Sequence, residues 1–107
     1  STDGTFVYTG FRPSWIMLKR TDSGASWLIF DNKRVGYNLV SNRLYANDPQ
    51  GEDTSTSSSL DLLSNGFKIR STTAGDSSTN ASGGTYIYMV FAENPFVTSG
   101  AVPVTAR

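Results

Sequence analysis

Asp31 and Glu93 are the two carboxylates whose setting could support catalysis. Each closes an apolar, strand-like run, and two carboxyl groups about 5–9 Å apart across a cleft are the machinery of glycoside hydrolysis. Carboxylates at strand ends equally serve as acceptors for turns, and that reading stands beside the first. The chain has no histidine and no cysteine. The usual general base near neutral pH, the thiolate nucleophile and the commonest zinc ligands are therefore missing. No Ser/His/Asp triad can be assembled, and no phosphate-cradling glycine motif occurs. The expectation is a protein that is not an enzyme, with no cofactor and no metal centre.

The remaining chemistry is of binding type. Asp48-Pro49-Gln50-Gly51-Glu52-Asp53 gathers three carboxylates, the hard-oxygen donors that Ca²⁺ takes. Its spacing is not that of an EF-hand loop, and a solvated loop accounts for it. Trp15, Trp27, Tyr8, Tyr37, Tyr45, Tyr86 and Tyr88 could stack on a sugar's apolar face, but such rings also fill cores and subunit contacts. Trp15 and Trp27 sit among apolar strand residues and are assigned to core packing. Tyr37 and Tyr45 lie in polar surroundings, and with Arg43, Asp48, Glu52 and Asp53 they make up the ligand-binding candidates. For Lys33-Arg34 and Arg43 the ordinary expectation is a solvated face, with an Asp31–Arg34 bridge pinning the central loop as the alternative. Asn80-Ala81-Ser82 fits the N-glycosylation pattern and is given no weight.

Composition narrows the partners. Nine basic and nine acidic residues leave a formal net charge of zero. Nucleic acid would then require a local basic stripe, and Lys19-Arg20 and Lys33-Arg34 do not make one. The longest apolar run falls well short of the roughly 20 residues that span a bilayer as a helix, and no secretion leader opens the sequence. Neither nucleic-acid binding nor membrane insertion is expected. A length of 107 residues suits one domain, 1–107, with one core.

The elements that must position these residues read as strands throughout. Apolar residues recur at period two, β-branched residues and glycines are frequent, and turn signals arrive every eight to thirteen residues. Gly4–Gly10 forms a short strand with Phe6 and Tyr8 on one face. Ser14–Thr21 and Ser26–Asp31, joined at Asp22-Ser23-Gly24-Ala25, form an antiparallel hairpin. Tyr37–Val40 reads as a weak edge strand and Asn42–Ala46 as another short piece, and Asn47–Ser59 as a surface loop. Leu60–Leu63 and Phe67–Arg70 flank an Asn65-Gly66 turn of type I′. A second polar loop covers Ser71–Gly83, and an extended tail runs from Phe96 to Arg107. Gly84–Phe96, the longest apolar run, is placed centrally with both faces covered. The fold expected is all-β: a single antiparallel β-sandwich, jelly-roll-like.

Several phrases resemble a domain recurring in virion proteins of tailed bacteriophages. Gly10-Phe11-Arg12-Pro13-Ser14-Trp15-Ile16-Met17-Leu18-Lys19-Arg20 is similar to its opening, and Trp27-Leu28-Ile29-Phe30-Asp31-Asn32-Lys33-Arg34 to its next element. Asn42-Arg43-Leu44, Leu63-Ser64-Asn65-Gly66-Phe67-Lys68-Ile69-Arg70 and Ala81–Glu93 follow in the same order. The resemblance spans about residues 3–107. It implies a structural module of a virion, in a tail fibre or on the capsid surface, found at the C-terminal end of longer fibre-like proteins. It further implies a homotrimer or contact with other virion subunits, with host attachment through a surface glycan as the working function. A decoration protein that contacts its own particle alone is the alternative. The two polar loops would form the exposed tip.

Overall fold

The computed structural model describes residues 3–71 and 77–94. Seven strands follow one another: β1 (Phe6–Tyr8), β2 (Pro13–Arg20), β3 (Leu28–Asp31), β4 (Leu44–Tyr45), β5 (Leu60–Leu63), β6 (Gly66–Ile69) and β7 (Tyr86–Ala92). They build a three-stranded sheet, β1-β6-β5, and a four-stranded sheet, β4-β3-β2-β7, and every pairing is antiparallel. The chain is thus the antiparallel β-sandwich its periodicity implies. The tail, Phe96 to Arg107, lies outside the described residues.

Period-two alternation selects the core. Ile16 and Leu18 from β2, Leu28 and Phe30 from β3, Leu60 and Leu62 from β5, and Phe67 and Ile69 from β6 point between the sheets and are buried together with Val40. Residues one step away in sequence point outward, as the strand repeat requires. Neither Trp15 nor Trp27 belongs to this core. Trp15 stands instead on the outer face of the four-stranded sheet, edge-on to Phe91 with ring centroids 5.5 Å apart.

The two outer faces differ sharply. On the three-stranded sheet Lys68 bridges Asp3 (2.6 Å) and Arg70 reaches Asp61 (3.7 Å). On the four-stranded sheet the register lines up Leu44, Ile29, Met17 and Met89 in one row, with Asp31, Trp15 and Phe91 in the next and Lys19 and Ile87 on the other side. That face is mainly apolar, with charge at its two ends, and Ile87, Met89 and Phe91 remain 49%, 51% and 57% exposed.

Three expectations are corrected here. The long apolar strand is not central: β2 is bonded on both sides, and β7 lies at the sheet's edge. An apolar run that alternates without polar residues reads as covered on both faces, and composition alone does not separate that case from a strand with one open face. The Asn-Gly turn also shifts by one residue. Leu63 pairs with Gly66, so the connecting pair is Ser64-Asn65 and Gly66 is the first residue of β6. Gly66 does not take positive φ. It is glycine because β1 crosses closely there, and a methyl group at its Cα would run into the Val7 carbonyl oxygen. Lastly, residues 37–40 form no strand; Val40 alone makes a two-bond bridge to Leu60.

Burial fixes the expected ranking of aromatic truncations. Phe30→Ala or Phe67→Ala empties a fully buried site and should lower unfolding free energy by about 3–5 kcal/mol in urea titrations. Phe91→Ala, on the open face, should cost about 1 kcal/mol or less. Equal losses at Phe67 and Phe91 would contradict this arrangement.

Candidate functional site

Of the ligand-binding candidates, Asp48, Glu52 and Asp53 lie on the loop that links β4 to β5, Tyr45 in β4, Arg43 just before it and Tyr37 between β3 and β4. The structure draws Arg43, Tyr45 and Asp53 into one network. Arg43 is its centre. It immediately precedes β4, and the two-residue alternation puts Arg43 and Tyr45 on the inward side while Leu44 points out. Arg43 is only 5% exposed, against the expectation of a solvated side chain. Its guanidinium bridges Asp53 Oδ2 (2.7 Å) and donates to the Ser55 and Ser58 carbonyls (3.0 and 3.1 Å). It donates further to Ser55 Oγ (3.0 Å), and its Nε–H to the Tyr45 hydroxyl (3.1 Å). The Tyr45 O–H in turn donates to Asp53 Oδ2 (2.8 Å). Backbone bonds in both directions between Arg43 and Asp53 (2.9 and 3.0 Å) close the ring.

This arrangement answers how so polar a segment becomes ordered. Residues 47–59 have almost no apolar side chains to bury, and one buried guanidinium with its fork of donors ties down the Ser55 and Ser58 carbonyls instead. Ser58 and Ser59 end up buried, which a surface loop does not imply. Ser59 Oγ donates to the Arg70 carbonyl (2.7 Å), and Ser71 Oγ bonds the Ser57 carbonyl. Both local alternation and the sequence order Arg43-Leu44-Tyr45 carry the signal for an inward arginine; a lone basic residue in polar surroundings conceals it.

A second arginine pins the other side of the loop. Arg34 bridges Asp31 (2.6 Å) and Glu52 (2.8 Å), so the Asp31–Arg34 bridge anticipated from sequence is present. Asn42 Nδ2 also donates to Glu52 (2.7 Å). Asp48 Oδ1 accepts from the Gln50 N–H (2.9 Å). The three carboxylates of residues 48–53 therefore face three different partners, and among the described residues no group of three such side chains could hold a metal ion.

The electrostatics follow from these bonds. The Ser55 N–H, the Tyr45 hydroxyl and Arg43 hold the Asp53 carboxyl below the usual carboxylate range, against the opposing effect of burial. For Asp31 burial is the largest influence and favours the neutral acid. It is outweighed by the Arg34 N–H, the Arg34 guanidinium and the Lys33 N–H, so its pKa is also lowered. Burial, then the bond to Asp53, raises the Tyr45 hydroxyl.

Glu93, the other member of the conceivable catalytic pair, bridges Arg12 (3.0 Å) and accepts from Asn32 Nδ2 (3.1 Å). Each of the two carboxylates is thus held by its own arginine. Tyr37 stands apart from every such network: it is 74% exposed and lines a shallow cleft of about 500 Å³ with Arg34, Leu39 and Asn42. A second cleft, of about 350 Å³, opens between the sheets beside Val7, Phe67, Tyr86 and Tyr88. Of the six ligand-binding candidates, Tyr37 alone presents a free aromatic face next to a cleft.

Sequence comparison places these features in a family. The chain belongs to the family described as a domain of unknown function, DUF7483, whose profile matches residues 1–95. No curated protein and no solved structure matches it.

If Arg43 holds the loop, Asp53→Asn should lower stability by about 2–4 kcal/mol, because it strands a buried cation. Asp48→Asn, fully outside the network, should stay within about 0.5 kcal/mol. The pH dependence has a definite sign. Asp31 and Asp53 have folded-state pKa values below the unfolded value, so the unfolded chain binds more protons as the medium acidifies. Their contribution is complete well above the ordinary Asp value of about 3.9 and is lost as pH falls through the folded-state values. Urea midpoints should drop below about pH 4, and Asp53→Asn should flatten that limb. An unchanged acid limb in the variant would remove Asp53 from this role.

Proposed function

We propose that this member of the DUF7483 family is a non-enzymatic structural module of a bacteriophage virion, held in place by non-covalent contacts with other subunits. The observation that supports the reading best is the apolar outer face of the four-stranded sheet. Its neighbour sheet covers one side alone, and a contiguous exposed patch of this kind marks a contact surface in a protein of this size. The virion setting rests on the ordered run of phrases resembling tail-fibre modules. The loop chemistry fits the same reading: Arg34, Arg43, Glu52 and Asp53 are occupied by partners within the chain.

Host attachment is the second reading, and Tyr37 favours it. A free phenol ring beside a shallow polar cleft suits stacking on a glycan, as loops on a rigid scaffold often do.

Imaging of particles carrying a tagged copy tests the first reading, with density expected on a fibre or on the capsid surface. Label absent from the particle would overturn it. On a glycan array, binding lost in Tyr37→Ala supports attachment, and binding untouched by that change removes Tyr37 from it. Product release from host polysaccharide that disappears in Glu93→Gln would replace both readings with an enzyme.

A further inference from the structure

Edge strands offer unpaired backbone groups, and folded proteins ordinarily blunt them. Here three of the four edges are blunted. β1 has three residues and β4 has two. Along β5, the Asn38 side-chain amide exchanges two hydrogen bonds with the Leu62 backbone (3.0 and 2.9 Å), and Val40 exchanges two with Leu60. β7 differs on every count. It runs for seven residues, Tyr86–Ala92, without a charged residue or proline. Thr21 N–H donates to the Thr85 carbonyl (2.8 Å) at the start of its pairing with β2. Antiparallel alternation then turns the N–H and C=O groups of Tyr86, Tyr88 and Val90 away from β2. Among the described residues no strand pairs with that side.

We propose that β7 pairs with β7 of a second copy, antiparallel about a two-fold axis at Met89, fusing two four-stranded sheets into one. The inference rests on the reading of the outer face as a contact surface and names what covers its margin. A second copy fits for two reasons. The first is charge: no like charges meet along an uncharged strand, and the charged residues at its two ends are paired within each copy, Glu93 with Arg12 and Arg20 with Asp22. The second is self-complementarity: about a two-fold axis at Met89 the outward N–H and C=O groups of Tyr88 meet those of Val90 in the second copy, and the reverse, so the strand is its own partner in register. About this axis Ile87 lies opposite Phe91 of the second copy, an aromatic–β-branched pair of the kind that stabilises sheets. An isologous contact of this type closes as a dimer.

Light scattering of the pure chain should give the dimer mass at high concentration and the monomer mass on dilution. Met89→Cys introduces the sole cysteine at a non-hydrogen-bonded pair, where Cα atoms lie about 4.5 Å apart, and mild oxidation should link most of the protein as dimer. Met89→Lys and Met89→Glu should each run as folded monomers, because this half-exposed side chain is not needed by the core, and their equimolar mixture should recover the dimer mass. A wild-type monomer at every concentration, a trimer, or a dimer that survives Met89→Lys would overturn the proposal. Any of those results leaves the virion reading to its own test, since placement on a particle is read by imaging and not from mass.

Discussion

Three strands cannot cover four. The structure depends on burying the inward faces of β2, β3, β5 and β6 against each other, since Phe30, Phe67, Ile16 and the leucines beside them are the apolar mass that opposes the chain entropy of folding. With β5 and β6 seated over the middle of the larger sheet, its margin at β7 and its outer face have no strand above them among the described residues. The apolar residues there are a consequence of strand count as much as of sequence. Tyr88 shows the boundary: it points inward and packs edge-on against Phe67 (5.6 Å), yet it is half exposed because the upper sheet ends there.

Order in the polar half of the molecule has a different source. The β4–β5 loop could not fold on apolar burial, and a single buried guanidinium replaces the missing core. A charge so placed is costly unless it is paired and fully hydrogen-bonded. Asp53, Tyr45 and the carbonyls of Ser55 and Ser58 meet that demand, which gives the loop one conformation. Arg34 does the same from the sheet's end through Asp31 and Glu52. Side chains with the outward appearance of a binding loop are thereby used as internal scaffolding. This is why the clustering of Tyr45, Arg43, Glu52 and Asp53 in sequence reflects a shared structural task, while Tyr37, outside the ring, keeps its surface free.

The same division bears on function. Arg34 and Arg43 are satisfied within the chain, while Ile87, Met89 and Phe91 stay exposed on the outer face of the larger sheet, and the proposed contact with other subunits rests on that difference. The opposite outer face, laced by Lys68, Asp3, Asp61 and Arg70, is built for water. The two faces differ in character, one carrying exposed apolar side chains and the other laced with ion pairs.

Alternation was legible in the residues themselves. Phe67-Lys68-Ile69-Arg70 announces a strand and names its buried members, while Ile16-Met17-Leu18 announces a strand without saying which face is buried, because alternation decides faces two residues at a time and only coverage chooses between them. The hairpins β2–β3 and β5–β6 follow from short polar connections for the same local reason. What lay beyond local chemistry was which strands end up at an edge, which outward face stays open, and which lone arginine turns inward. Those outcomes depend on what is stacked above a residue, set by segments far away in the chain: β7 lies beside β2 across more than sixty residues, and Asn38 completes the edge of β5. The sequence alone determined an all-β sandwich and the alternation within its strands; the tertiary structure alone decided which face of β2 is buried, the margin at β7 and the burial of Arg43, because coverage and desolvation are properties of neighbours and not of the residues themselves.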